Sequence, residues 1–413
     1  MTLIRKPATA EGGCATRAFV NNRPARVLRY TLCMLAPYAL RAEESRGRRY
    51  PEEAHAYRNV FQRDRDRVVH SRAFRRLENK TQVFTGRRSD HFRNRLTHTI
   101  EVAQISRTIA AELQLNEDLV EALALVHDVG HPPFGHAGER VLNAAMQEYG
   151  DQFDHNLHAL RTVEQFEHRY AEFPGLNLTF EVREGIVKHS RDYDAKDFPQ
   201  LAEYLLEQRP PLEAQLIDFT DEIAYSTADL DDGVEAKILT REQVRESVPL
   251  FALLHAEVEQ RYPAAAEKLL FNETLKRVLD RLVSDLIANS RKLIGESGVD
   301  SVDAVRRYPQ RLIAFSPEVD EERKQIKEFL YQNVYYSPAQ QRDKQQAEKV
   351  IAEMFAFFMN FPRELPASYQ EKTRSEPLHR IVCDYVAGMT DSYIFEQHRR
   401  LCGGKKKVPG LSG

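Results

Sequence analysis

The chain has 413 residues, with 59 Lys and Arg against 62 Asp and Glu, for a formal charge of −3. That balance argues against nucleic acid as the main partner and confines any anion site to a local patch. An apolar fraction of 42 %, a charged fraction of 29 % and a mean hydropathy of −0.55 exclude an integral membrane protein and a wholly disordered chain. The length allows two or three domains or one large one. The four cysteines, Cys14, Cys33, Cys383 and Cys402, form no CxxC pair. Neither a disulfide framework nor a thiolate zinc site is therefore expected, and a reducing cytoplasm fits best. With 18 glycines, no tryptophan and abundant Leu, Ala, Glu, Arg and Gln, the expected fold class is all-α.

Residues 1–41 carry seven basic residues against the single acid Glu11 and show no clear period. They are read as a disordered or mis-started extension, with Met34 the alternative start. No membrane span is expected, because the apolar stretch 32–40 is broken by Pro37 and far too short. Residues 58–80 are dense in arginine, with Val68, Val69, Phe74 and Leu77 at helical spacing. The ordinary account of that run is a solvated charged face; the sharper one is contact with phosphates or a second subunit. A helix is predicted from about 94 to 115, and another from 116 into the apolar run 122–126, where Pro132 and Pro133 end it. Further helical patterns cover about 155–170, 178–190, 198–207, 211–231 and 241–260, and they continue over 265–400 without internal repeat. The tail 403–413 has no apolar periodicity and is read as disordered.

His127 and Asp128 stand where the apolar helix ends, with His131 and His136 in the turn that follows. Burying such a cluster without function is costly, since every polar group needs a partner. His98 on the preceding helix and Asp221 further on could complete a set of two imidazoles and two carboxylates. Such a set suits Mg²⁺, Mn²⁺, Fe²⁺, Co²⁺ or Zn²⁺ with positions left for water and substrate. Asp221, Tyr225 and Asp229 repeat every four residues and share one helical face, while Asp229, Asp231 and Asp232 could equally be a hydrated helix end. His136 and Glu139 are three apart, so the carboxylate could orient the imidazole for proton transfer, with a simple surface pair as the alternative.

The order His98, His127-Asp128, Asp221 resembles the HD-domain metal-dependent phosphohydrolases. The longer stretches HSRAFRRLENKTQVF, RNRLTHTIEVAQISR, HDVGHPPFGHAGE, DEIAYSTADLDDG and DYVAGMTDSY resemble the deoxyguanosine triphosphate triphosphohydrolase-like proteins over about 34–401. The resemblance implies an HD-domain core over 42–240 and a helical C-terminal region over 241–402 packed on it. It makes His98, His127, Asp128 and Asp221 the metal ligands, His136 with Glu139 the catalytic pair, and His131 and His155 helpers. Arg95 would hold the α-phosphate region, Tyr225 and Asp229 the deoxyribose, and Gln82 the 3′-hydroxyl.

The implied reaction is metal-dependent hydrolysis of dGTP and other dNTPs to a deoxynucleoside and inorganic triphosphate, which would control dNTP pools. The resemblance also implies a homo-oligomer and a dNTP activator for which the arginine-rich 58–76 stretch is a candidate site; the same basic stretch could serve weak single-stranded nucleic-acid binding. The absence of GxxxxGK[ST] excludes a Walker-type NTPase. The rival readings are an HD phosphohydrolase acting on a monophosphate, cyclic nucleotide or alarmone, and a nucleotide sensor or single-strand binder without turnover.

Overall fold

Apolar residues recurring every three or four positions, begun by side chains that accept the first orphan N–H groups, build the protein from helices. The computed structural model describes residues 35–83 and 91–403, all in the unit that begins at Leu35. Most of the extension expected over 1–41 and nearly all of the expected tail lie outside the described residues. Among those residues the only extended pairings are isolated bridges, Arg48 with Thr179, Thr81 with Asn94 and His168 with Gly175. Residues 35–41 do not behave as an appendage, since Ala36, Ala39 and Leu40 are buried in the main core.

The elements are α1 (Val60–His70), α2 (Arg72–Arg76), α3 (Arg95–Glu112), α4 (Glu117–Val126), α5 (His136–Gln147), α6 (His155–Arg161), α7 (Phe180–Val187) and α8 (Leu212–Glu235). They continue as α9 (Arg241–Ser247), α10 (Pro249–Arg261), α11 (Glu267–Ser297), α12 (Val302–Arg307), α13 (Pro317–Leu330), α14 (Pro338–Asn360), α15 (Ala367–Lys372), α16 (Leu378–Ala387) and α17 (Asp391–Leu401). Helices α1, α3, α4 and α8 pack on one another. Asn59, Asn94 and Asn116 cap the first three of them through their side-chain oxygens.

The predicted helix over 241–260 is two helices, because Pro249 has no N–H to continue α9 and instead begins α10. The pattern over 198–207 forms a 3₁₀ turn, Pro199–Tyr204, and the one over 155–170 stops at Arg161 in a wider π-type turn. Helix α8 runs on to Glu235, so Asp229, Asp231 and Asp232 are not a hydrated helix end.

Two hydrophobic cores divide the described chain. The larger joins residues 35–40, α1–α4, α6–α8 and α9–α13. The smaller is built by α14, α16 and α17 around Phe357, Phe358 and Ile381, with Leu142 and Met146 of α5 inserted among them. The long α11 packs on α8 and α3, so residues 241–334 share the larger core with the helices before them. The arginine-rich run is largely consumed inside the fold: Arg67 is buried against Glu52 and the carbonyls of Leu176 and Asn177, and Arg65 pairs with Glu121. Arg72 and Arg75 remain exposed.

Glu213, in the first turn of α8, ties three segments together, since its Oε1 accepts from Leu40 N (3.0 Å) and Asn116 N (3.1 Å). Burial raises its pKa from 4.5 to about 7, even though those donors favour the carboxylate. The folded state therefore holds a proton that the unfolded state releases between about pH 4.5 and 7. This contribution is complete below pH 4.5 and is lost as pH rises through 7, by up to about 3 kcal/mol. Glu213→Gln keeps the accepting oxygen and removes the titration. Its Tm is expected to fall less than that of the wild type between pH 5 and 8, as differential scanning calorimetry would show.

Candidate active site

Ala122, Leu123, Ala124, Leu125 and Val126 are buried on α4, and they carry the residues that follow, His127 and Asp128, inside at 3 and 4 % exposure. The His127 Nδ1–H donates to Ala124 O at 2.6 Å, which places the proton there and leaves the Nε2 lone pair free. That Nε2 is buried without a hydrogen-bond partner, 3.7 Å from Asp128 Oδ1 and 3.9 Å from Asp221 Oδ1. His98 Nε2, from α3, lies 2.8 Å from the same Asp221 oxygen. The sequence-predicted quartet thus converges from α3, the end of α4 and the middle of α8. Its chemistry, two imidazoles and two carboxylates around one unpartnered lone pair, fits a divalent metal ion.

The carboxyl of Asp128 is buried, which by itself would raise its pKa, but the Arg95 guanidinium and the neighbouring His131 and His127 hold it well below the usual range. Arg95 Nη1 donates to Asp128 Oδ2 at 2.8 Å. For Asp221, burial is likewise outweighed by the hydrogen bond and charge of His98, and the carboxylate stays ionised. Both acids are therefore present in the form a cation requires.

The turn between α4 and α5 sets the second group. Its chain path is left-handed at Phe134 (φ 60°) and Gly135 (φ 56°), and a Cβ on Gly135 would meet Arg95 Nη2 at 2.6 Å. The C-terminal core holds this turn in place. Asp391, in the first turn of α17, accepts from Phe134 N at 3.0 Å and from Thr81 N at 2.8 Å. The buried Lys80 ammonium donates to the His131 carbonyl and to Ala387 O. Burial, followed by the nearby Arg76, pushes the Lys80 pKa well down.

From this turn His136 projects at 72 % exposure, its Nδ1 3.0 Å from Glu139 Oε2. The other oxygen, Oε1, lies 2.9 Å from His155 Nδ1 on α6 and accepts from His155 N. Burial opposes ionisation of Glu139, but the hydrogen bonds from His136 and His155 outweigh it and hold the carboxyl well below its ordinary range. One carboxylate thus orients two imidazoles. His131 stacks on His155 with ring centroids 4.1 Å apart, and its Nδ1 is 2.8 Å from Asp128 Oδ1. The ring is not aligned for a hydrogen bond there, and burial together with Arg95 keeps its pKa well down.

The remaining predicted residues make contacts of their own. Tyr225 OH donates to Glu222 Oε1 (2.9 Å), a carboxylate also paired with Arg323 and Lys327. Asp229 is buried, which raises its pKa to about 7, and accepts from the Tyr335 hydroxyl. Gln82 keeps a buried, unpartnered Oε1 beside the Thr81–Asn94 bridge.

Sequence reasoning missed Tyr335, which a separation of 106 residues from Asp229 hides from any helical period. It also missed His189, which follows α7 and shares a metal-capable group with His127 and Asp221. The three consecutive polar residues 188–190 after the apolar Ile186 and Val187 were the available signal.

Among the described residues no helix is long and apolar enough to cross a membrane. The chain matches the HD domain over residues 95–226 and the phosphohydrolase-associated domain over 313–400. It is 50 % identical over 368 residues to a deoxyguanosinetriphosphate triphosphohydrolase-like protein of Azoarcus sp. (strain BH72), covering 89 % of this chain and 96 % of the relative. Relatives of the same description from Ralstonia pickettii (strain 12J) and Geobacter sulfurreducens are 48 % and 43 % identical, over 89 % of this chain and 94 % of each.

Two outcomes follow from the geometry. A divalent ion at a hundred times its Kd is expected to raise the stability of the wild type by about 2.7 kcal/mol. Thermal melts of His127→Ala and Asp221→Asn should show little of that gain. Gly135→Ala, which needs a left-handed alanine and pushes on Arg95, is expected to cost about 1–3 kcal/mol in urea titrations.

Proposed function

We propose that this chain, which belongs to the deoxyguanosinetriphosphate triphosphohydrolase-like family of HD-domain proteins, hydrolyses deoxynucleoside triphosphates to the deoxynucleoside and inorganic triphosphate. The observation that carries the reading is the buried, unpartnered His127 Nε2 facing Asp128 and Asp221, with the Glu139-oriented His136 and His155 on the next two helices. His98, His127, Asp128 and Asp221 would hold a divalent ion, which when bound lowers the pKa of water and polarises a phosphoryl oxygen.

The protein side chains then divide the remaining work. Arg95, fixed by Asp128 and always charged, offers its other donors to the α-phosphate. A water oxygen bonds to the α-phosphorus as the bond from phosphorus to O5′ breaks, and the departing O5′ needs a proton. His136 supplies it from its imidazolium form, with Nδ1 held by Glu139 so that Nε2 faces outward. The proton released by the attacking water balances the one delivered, so the imidazole returns to its starting form. His131 and His155, stacked on each other, complete the polar wall toward the phosphates.

Tyr225 would pack on the deoxyribose, and Asp229 with Gln82 would accept its hydroxyl. The Asp229 carboxyl already takes a proton donor from Tyr335, so a sugar hydroxyl would meet a preset acceptor.

Incubation of metal-loaded protein with each dNTP, alone and in mixtures, is expected to yield deoxynucleoside and triphosphate by ion-exchange chromatography. Monophosphate and pyrophosphate, or no turnover with any metal or mixture, would overturn the reading. In the same assay His136→Ala should retain its metal while kcat falls about 10²–10⁴-fold.

A further inference from the structure

We infer that His189 is a fifth protein ligand of the metal ion, so that three imidazoles and two carboxylates surround it. The inference deepens the metal-dependent reading above and rests on its metal site, though not on its substrate.

His189 lies just past the end of α7 and is 6 % exposed. One of its ring nitrogens is within 4.8 Å of both a His127 nitrogen and an Asp221 oxygen, and His127 also groups in this way with His98 and Asp128. Ligand atoms about 2.0–2.2 Å from one ion stand at most a little over 4 Å apart, and the two groups share His127, the donor around which a common centre would form. The rings of His127 and His189 are edge to face at 5.3 Å between centroids, as two imidazoles aimed at a common point can be.

The surroundings hold this histidine in place and set its tautomer. Asn156, beside His155 on α6, donates from Nδ2 to the His189 carbonyl at 2.7 Å. Ser190 is left-handed (φ 52°), which turns the chain sharply after the ring, and its N–H donates to Asp218 Oδ1 at 2.9 Å. That same oxygen lies 2.7 Å from His189 Nδ1, off the line of an ideal hydrogen bond. The second Asp218 oxygen is paired with Arg311. A neutral ring with its proton on Nδ1 leaves the Nε2 lone pair for the metal. Carboxylate behind imidazole behind metal is the arrangement by which proteins orient a ligating histidine and raise its basicity. Asp218 lies one turn before Asp221 on α8, so a single helix supplies both a ligand and the support of another.

One consequence follows for the site: a third imidazole moves the preference away from Mg²⁺ toward Mn²⁺, Fe²⁺, Co²⁺ or Zn²⁺.

The test is made without substrate. Metal-free full-length protein is titrated with Co²⁺ and Mn²⁺ for the wild type, His189→Ala, Asp218→Asn and the exposed-site control His70→Ala. His189→Ala should bind at least about tenfold more weakly, with its Co²⁺ visible spectrum shifted to a lower coordination number. Asp218→Asn should lose about 10-fold in affinity with the wild-type coordination number retained, and His70→Ala should match the wild type. Pulsed electron paramagnetic resonance of the Mn²⁺-loaded wild type, which needs no variant, should count three imidazole nitrogens bound to the ion. Two nitrogens in the wild type, or the same affinity and spectrum in a folded His189→Ala, would overturn the inference. Absence of a bound ion in the wild type would instead overturn the metal site itself, and failure of dNTP turnover with three imidazoles bound would leave the ligand set standing while removing the proposed substrate.

Discussion

The ion pair between Arg95 and Asp128, 2.8 Å long and only 3 and 4 % exposed at its two residues, is the contact on which the site depends. Removing two charges from water costs several kcal/mol for each ion, and the mutual attraction repays this only when the remaining hydrogen-bonding capacity is also used. Here Asp128 turns its second oxygen toward His131 and His127. The arginine lies so close to the turn after α4 that a Cβ at position 135 would meet its Nη2 at 2.6 Å. The pair therefore sets the protonation of Asp128, the direction of the guanidinium and the path of the chain toward His136 at once. Without it, Asp128 would be a buried carboxyl driven toward its neutral form and useless to a cation.

The donors themselves are divided between two cores. His98, His127, Asp128 and Asp221 are borne by elements of the larger core, whereas His136 and Glu139 ride on α5, whose Leu142 and Met146 belong to the smaller one. Their alignment rests on polar ties between the cores, each of which joins the turn between α4 and α5, or α6, to the C-terminal helices. Asp391 holds the N–H groups of Thr81 and Phe134, and Lys80 holds the carbonyls of His131 and Ala387. Asp384 on α16 receives Arg161 and faces His158 of α6 at 3.3 Å, and that charge network is almost wholly buried on the α16 side. The C-terminal helices thus do more than cover apolar surface. They determine where His136 and Glu139 stand relative to the metal-capable group.

Some features of the protein were legible without coordinates because they are local. Period 3.6 and the asparagines before α1, α3 and α4 mark helices, and a proline pair after an apolar helix marks where His127 and Asp128 emerge. The four-residue repeat of Asp221, Tyr225 and Asp229 places them on one face of α8 whatever that helix packs against. The arginine run over 58–80 shows the limit of composition. Its charge was visible, but whether each cation meets solvent or a partner depended on Glu52, Glu121 and the carbonyls of Leu176 and Asn177, none of them in that segment.

What the sequence by itself determined is the all-α class and the three-residue spacing that lets His136 reach Glu139, since backbone periodicity and short-range spacing dictate them, while the metal-capable quartet was named by its resemblance to the HD-domain proteins. Only the tertiary structure decided that His155 shares the carboxylate of Glu139, that Tyr335 donates to Asp229 and that His189 stands beside His127 and Asp221. These contacts join residues on separate elements. Their proximity follows from how apolar faces stack into two cores, a property of the whole chain that no local pattern contains.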